Sequence, residues 1–420
     1  MFAKTVLDNG IRLISQELPG HRSVSLGIWV ENGSRHESAA QNGLSHFIEH
    51  LLFKGTEKRS AADIAEEMDA VGGVLNAFTS KEHTCYYAKV LDDDLPLAID
   101  LLTDIFLHSS FDAEEIERER SVILQEISQA EDTPDDYVHD LFNLDFFKDH
   151  PIGRPICGRE ATVTSFHRAE VLSFFKRRYH PRRVIVAAAG HFHHEELAGR
   201  IAERLGAAPD FSEGAAVHDG QEAPEMGRGV FPHAKDLEQA HLCLGVAGIP
   251  QGHPKRYVAY VLNTLLGGGM SSRLFQEIRE KRGKAYSVYS FSSSYKDVGY
   301  VGVYAGTSVE STEEVVDLIL QEFKKLAAGE VKEEEVQRTR GQLVGSMMLG
   351  LESTDSWMSH IARNEIYFGQ PVTTEEICRR IRAVSRDDIV ELAGALLHPE
   401  RATLTLLGDF ADGFQIKSLG

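Results

Sequence analysis

The sequence predicts an α+β protein built from two homologous domains, each of mixed or antiparallel sheet packed with helices. Three observations lead there. β-like runs bracket helical patterns in both halves, the periodicity lapses once near the middle, and the second half repeats the order of the first.

In the first half the apolar β-like runs fall at 24–30 and 184–189, and in the second at 240–246 and 402–407. Between about 206 and 235 Ala, Gly, Pro and acidic residues take over, as in Pro209-Asp210-Phe211-Ser212-Glu213-Gly214, and this reads as a linker. The expected division is therefore a domain over 1–208, a linker over 209–232 and a second domain over 233–420. Leu51-Leu52 inside a helical pattern has a counterpart in Leu265-Leu266, and each is followed by a Gly-containing break and another helix. β-rich stretches come next, at 74–90 and 285–303, then Glu-rich helices beginning near Glu114 and Glu333. Such matching order indicates duplication of one fold.

At 420 residues and 42% hydrophobic content the chain can bury more than one core. Its formal charge of -20 disfavours a nucleic-acid surface, which needs clustered Lys and Arg to displace counterions, and suits a basic or neutral partner better. Cys85, Cys157, Cys243 and Cys378 lie far apart with no CxxC pair, as expected of reduced core thiols. The first twenty residues show neither a basic leader nor a long apolar stretch, and no uncharged apolar run reaches the roughly 18 residues of a membrane span. A soluble, cytoplasmic protein is expected.

The chemistry concentrates in Gly43-Leu44-Ser45-His46-Phe47-Ile48-Glu49-His50-Leu51-Leu52-Phe53, which has helical spacing. His46 and His50 stand one turn apart on one face, so both imidazoles can reach a single Zn²⁺. Glu49 is then placed to take a proton from a water that the metal acidifies from a pKa of 15.7 toward about 7. The order His-x-x-Glu-His is the inverted zincin arrangement. An amphipathic helix with two surface histidines would read the same way, so a third ligand is needed. The helix from Glu114 to Glu126 offers Glu115, Glu119 and Glu126, of which Glu119 and Glu126 share a face. One could bind metal while the other orients a ligand histidine, and pattern alone does not choose.

These residues, with Glu126 lying 76 positions after His50, closely resemble the insulinase/pitrilysin metallopeptidases, particularly short bacterial members similar to the mitochondrial processing peptidase beta subunit. The likeness also takes in Gly33-Ser34-Arg35, Gly72-Gly73 to Tyr86-Tyr87, and His150-Pro151-Ile152-Gly153-Arg154-Pro155. The resemblance implies that Glu126 is the third zinc ligand, one ion per chain, and that Glu119 supports the site. It also implies an endopeptidase with peptide substrates, in which Glu49 acts as general base and then acid.

Residues 74–90 have a strand pattern, and a free strand edge beside a metal can hold an extended peptide by backbone pairing. The resemblance puts Asn76 and Ala77 on that edge. It also matches Arg279 and Tyr286, seven apart, to the family's pair that steadies the oxyanion of the scissile peptide. From their surroundings alone, Arg279 is a surface helix charge and Tyr286 a half-buried strand residue. Gly267, Gly268 and Gly269 resemble a glycine-rich segment thought to contact substrate, and they do not form a phosphate loop.

In the second half Tyr260, Asn263 and Thr264 stand where His46, Glu49 and His50 stand in the first, so only the first half can bind metal in this way. His191, His193 and His194 follow a strand and are expected to begin a helix, while His83, His139 and His150 lack partners at ligand spacing. Long family members carry four such domains and this chain two, so a homodimer is expected, with Arg279 and Tyr286 of one subunit completing the zinc site of the other. The alternative is a non-catalytic or partner-dependent subunit of a peptidase complex.

Overall fold

The computed structural model describes residues 1–208, 224–410 and 414–419. The expected linker at 209–232 lies largely outside them. Two compact units emerge, each with its own sheet.

The first unit is built on β1 (Phe2–Val6), β2 (Arg12–Glu17), β3 (Ser23–Val30), β4 (Val74–Thr79), β5 (Thr84–Leu91) and β6 (Val184–Gly190). Their order across the sheet is β1-β2-β6-β3-β5-β4, with only the β2–β6 pair parallel. The second unit is built on β7 (Gly229–Ala234), β8 (Ala240–Ala247), β9 (Ala285–Ser294), β10 (Gly299–Thr307) and β11 (Thr403–Gly408). Their order is β7-β11-β8-β10-β9, again with one parallel pair, β7–β11. Strand for strand, β2, β6, β3, β5 and β4 correspond to β7, β11, β8, β10 and β9, which is the duplication that the sequence implies. Along the chain the helix Leu44–Leu51 lies between β3 and the edge strand β4, as the helix Arg256–Gly267 lies between β8 and the edge strand β9.

The strands β6 and β11 are buried along their whole length, so both faces of each sheet need cover. One face of the first sheet packs Leu26, Ile28, Tyr86 and Val186 against Phe47, Ile48 and Leu51 of the helix Leu44–Leu51 and Leu102 and Ile105 of the helix Leu95–His108. The other face, with Ile14, Trp29, Cys85 and Ile185, is covered by Met358, Ile361 and Ala362 of the helix Thr354–Phe368. Cys243, Tyr300, Tyr304 and Leu407 on the second sheet are covered by Val138, Phe142 and Phe146 of the helix Pro134–Phe147.

This covering redraws the expected boundaries. The first unit comprises the described parts of Met1–Gln129, Arg154–Gln221 and Gly350–Pro371, and the second those of Ala130–Gly153, Glu222–Leu349 and Val372–Gly420. A single cut at 208 would leave each sheet without one of its layers. The helix that closes each second face comes from the other half of the sequence.

Candidate metal centre

The helix Leu44–Leu51 buries Leu44, Phe47, Ile48 and Leu51 and turns His46, Glu49 and His50 to its less buried side. Its start is held without a capping side chain of its own. Gly43 sits at φ 99°, where the left-handed backbone favours glycine, and a Cβ there would lie 2.7 Å from the Cys157 carbonyl oxygen and 2.8 Å from Gly158 Cα. Glu37 supplies the missing cap, accepting from the backbone N–H of Gly43 at 2.8 Å and of Ser45 at 2.7 Å. Burial pushes the Glu37 carboxyl up to about 7, against the pull of those two backbone donors.

From this frame the two imidazoles meet with ring centroids 4.7 Å apart. The helix Ala113–Glu131 brings Glu126 Oε2 to 3.7 Å from His46 Nε2 and 3.6 Å from His50 Nε2. Ligand atoms of these three residues all lie within 4.8 Å of one another, and among the described residues no other group of His, Cys, Asp and Glu does so. Spacings near 3.6 Å are too long for hydrogen bonds. They approach the roughly 3.4 Å that separates donors around a tetrahedral ion with bonds of about 2.0–2.1 Å. Two imidazole nitrogens and one carboxylate oxygen are also a donor set that zinc accepts, so the residues present fit the ion.

Glu119, seven residues before Glu126, is turned to the back of the site. Its Oε2 accepts from His50 Nδ1 at 2.9 Å and its Oε1 meets Lys54 Nζ at 2.7 Å. The bond at Nδ1 leaves Nε2 as the ring's open lone pair. Burial works against the charged form of Glu119, but the hydrogen bonds from His50 and Lys54 prevail and hold its carboxyl below the usual range. Burial and the nearby His50 push the His46 imidazole down to about 4. For His50 burial pulls the same way, yet the bond to Glu119 and the charges of Glu126, Glu119 and Glu49 outweigh it and raise it. Burial raises Glu49 despite a hydrogen bond from the Thr79 hydroxyl.

Asn76 and Ala77 lie on β4, the free edge of the first sheet, and the Asn76 side chain accepts from the Ala77 N–H at 2.8 Å. In the second unit the Arg279 guanidinium lies 5.0 Å from the centre of the Tyr286 ring and 4.8 Å from that of Phe275. Both residues occupy irregular backbone. Arg279 is in the π-helical turn Phe275–Glu280, and Tyr286 is skipped by the ladder, since Ala285 pairs with Thr307 and Ser287 with Gly306. Tyr286 is 81% exposed, more than a half-buried strand residue would be. Gly267 ends its helix against β9, where a Cβ would lie 2.2 Å from the Ser290 nitrogen, and the Gly268 carbonyl accepts from Gln342 at 3.0 Å.

Four other histidines named from the sequence have neighbours of their own. His191 pairs with Asp92 at 2.6 Å, and His194 opens a helix while bonded between Thr5 and Ser15. His139 meets the Tyr289 hydroxyl at 3.0 Å, and His83 is buried beside Trp29. The four cysteines form no disulfide. Sequence reasoning missed Glu37, Lys54 and Thr79. Of these only Lys54, one turn past His50, carried a spacing that could have drawn notice.

The family model described as insulinase (peptidase family M16) matches residues 12–160, and that of the peptidase M16 inactive domain matches residues 165–343. An uncharacterized zinc protease of Streptomyces coelicolor is 42% identical over 413 residues, covering 97% of this chain and 90% of that protein. One from Bacillus subtilis is 41% identical over 402 residues, covering 96% and 97%. In fold, the chain is similar to a protease from Helicobacter pylori, with a TM-score of 0.89 at 21% identity over 97% of this chain and 99% of that one. A structure from Pseudomonas fluorescens described as a peptidase M16 inactive domain gives 0.90 at 18% identity, over 99% and 100%.

Proposed function

We propose, on the premise that this chain belongs to the insulinase family of peptidases (M16), that it is a zinc-dependent endopeptidase whose metal is held by His46, His50 and Glu126. The observation that carries this reading is the convergence of three ligand atoms within 4.8 Å, with His50 braced from behind by Glu119. When bound, zinc supplies Lewis acidity, which polarises a peptide carbonyl and acidifies water.

The protein's own groups do the rest. Glu49 takes a proton from the attacking water and delivers it to the departing amine as the C–N bond breaks, so no acyl-enzyme forms. Glu119 fixes the tautomer and orientation of His50. Asn76 and Ala77 hold the substrate backbone along the β4 edge, which binds extended peptide with little demand on its sequence. Arg279 and Tyr286 donate to the carbonyl oxygen as it becomes an oxyanion, a role supported by their mutual contact and irregular backbone. Gly267, Gly268 and Gly269 contact substrate beyond that pair.

The functional unit in this reading is a homodimer in which Arg279 and Tyr286 of one copy complete the zinc site of the other. A cytoplasmic location belongs to the same reading; among the described residues no helix is long and apolar enough to cross a membrane. The alternative, a non-catalytic or partner-dependent subunit, is favoured by the match of residues 165–343 to a domain described as inactive. The metal set lies within the other match, residues 12–160, and all its positions are filled.

Zinc content and peptide cleavage, measured on wild type beside His50→Ala, test the reading. Zinc and cleavage lost together in the variant support it. A wild type that binds no zinc and cuts no peptide sinks it.

A further inference from the structure

We infer that Thr79 is a positioning residue for Glu49: its hydroxyl holds Oε2 as a spectator and leaves Oε1 to carry the proton. The inference rests on the reading of Glu49 as general base and adds a residue to it.

Along β4 the half-buried Leu75, Ala77 and Thr79 alternate with the exposed Val74, Asn76 and Phe78. Thr79 therefore shares a face with Leu75 and Ala77, which pack against the core that includes Phe47 and Leu51 of the motif helix. From there its hydroxyl donates to Glu49 Oε2.

The direction of that bond follows from a count of protons. A threonine hydroxyl has one to give. The buried Thr84 gives its proton to the Asn32 carbonyl at 3.0 Å, so it has none to offer across the 3.3 Å to Thr79. Thr84 could only accept from Thr79, but Glu49 in the ionised form that a base must take can also only accept, so the shorter bond at Oε2 takes the Thr79 proton, and Oε1 is the oxygen without this donor.

The hydroxyl is also held on a stiff frame. Thr79 is β-branched and ends its strand at a turn in which Ser80 bonds to the His83 carbonyl through both backbone and side chain, each at 2.8 Å. The neighbouring segment grips this turn: Ser34 N–H donates to Ser80 at 3.1 Å and Arg35 N–H to Lys81 at 2.9 Å. Gly33 allows the approach, since a Cβ there would stand 2.2 Å from the Ser80 carbonyl oxygen. A buried ion pair from Arg35 to Glu82 at 2.6 Å, completed by the Tyr367 hydroxyl at 2.8 Å, anchors the same turn. A glutamate can rotate about three side-chain bonds, and one donor on this frame removes most of the freedom of its carboxylate.

In the reaction the proton moves from the attacking water to Oε1, the water oxygen bonds to the carbonyl carbon, and the same proton leaves with the amine as the C–N bond breaks. Oε2 keeps its bond to Thr79 throughout.

Thr79→Val removes the hydroxyl at nearly constant shape, and Thr79→Ser keeps it. For Thr79→Val we expect kcat on a quenched fluorescent peptide to fall about 10–100-fold, the scale of a misplaced catalytic group. KM, and zinc affinity by chelator competition, should stay within about twofold, and Thr79→Ser should keep at least about half of the wild-type kcat. A wild-type kcat in Thr79→Val, a parallel loss of zinc affinity, or a serine variant as impaired as the valine one would overturn the assignment. Should Thr79→Val not fold, Thr79→Ala carries the same comparisons. If zinc-loaded wild type cuts no peptide, the peptidase reading fails instead. Crystal structures then decide: a Glu49 carboxylate ordered in wild type and spread over several rotamers in Thr79→Ala supports the positioning role, and one equally ordered in both removes it.

Discussion

His50 and Glu119 are joined at 2.9 Å, and the second oxygen of that glutamate is taken by Lys54 at 2.7 Å. A carboxylate with both oxygens engaged behind the imidazole is not available in front of it. Glu126, two turns further along the same helix and 40% exposed at its side chain, is the one that meets both Nε2 atoms.

Glu119→Ala should therefore weaken zinc binding by about 10–100-fold, the usual effect of removing an outer-shell partner, without abolishing it. Chelator competition measures this. An affinity equal to wild type would mean that the His50 ring needs no brace.

Glu49→Gln should keep the zinc and the thermal midpoint of wild type while kcat falls about 10²–10⁴-fold. Metal analysis of the purified variant beside steady-state cleavage separates the two properties. Loss of metal in this variant would recast Glu49 as part of the binding set.

Gly43→Ala forces a Cβ into a left-handed backbone already in contact with Cys157 and Gly158. A loss of about 1–3 kcal/mol in urea unfolding is expected, with weakened zinc binding as the motif helix shifts.

Glu37 carries a pH signature. Its folded pKa, about 7, lies above the ordinary 4.5, so its contribution to stability is full below about 4.5 and is lost as pH rises through 7. Unfolding midpoints of metal-free wild type, plotted against those of Glu37→Gln, should fall relative to the variant between pH 5 and 8. Parallel curves would show that Glu37 does not titrate in this window.

Mixing an Arg279→Ala subunit with a Glu49→Gln subunit should restore cleavage that neither has alone, because a mixed dimer then contains one intact composite site. Size-exclusion chromatography checks that the mixture pairs. A paired mixture that stays inactive would rule out the shared site.

Much of this was legible in the chain because the chemistry is local. His46, Glu49 and His50 occupy one turn of one helix, so their common face follows from spacing. The repeated order of β-runs and Glu-rich helices announced the duplication for a similar reason, since strand pattern and helix pattern are properties of short windows. The choice between Glu119 and Glu126 was different. Both lie on one face, and what separates them is the approach of a second helix, which no spacing within the first encodes. Thr79 lies thirty residues from the glutamate it serves, and Glu37 caps a helix from outside, so neither had a local signature. The helix Pro134–Phe147 follows the Glu-rich helix and falls inside the span 1–208 expected to form one domain. Only the fully buried β11 shows why its apolar side belongs on the other sheet.

The exchanged helices bear on how the protein is made. The last strand of the first sheet, ending at Gly190, is synthesised well before Thr354, where the helix that shields Trp29 and Ile185 begins. At about 5–20 residues per second a ribosome takes roughly 10–30 seconds to supply it. Throughout that interval the nascent chain displays a bare greasy surface, a natural target for chaperones. Neither half, produced by itself as a recombinant fragment, would carry the helix that covers the second face of its own sheet.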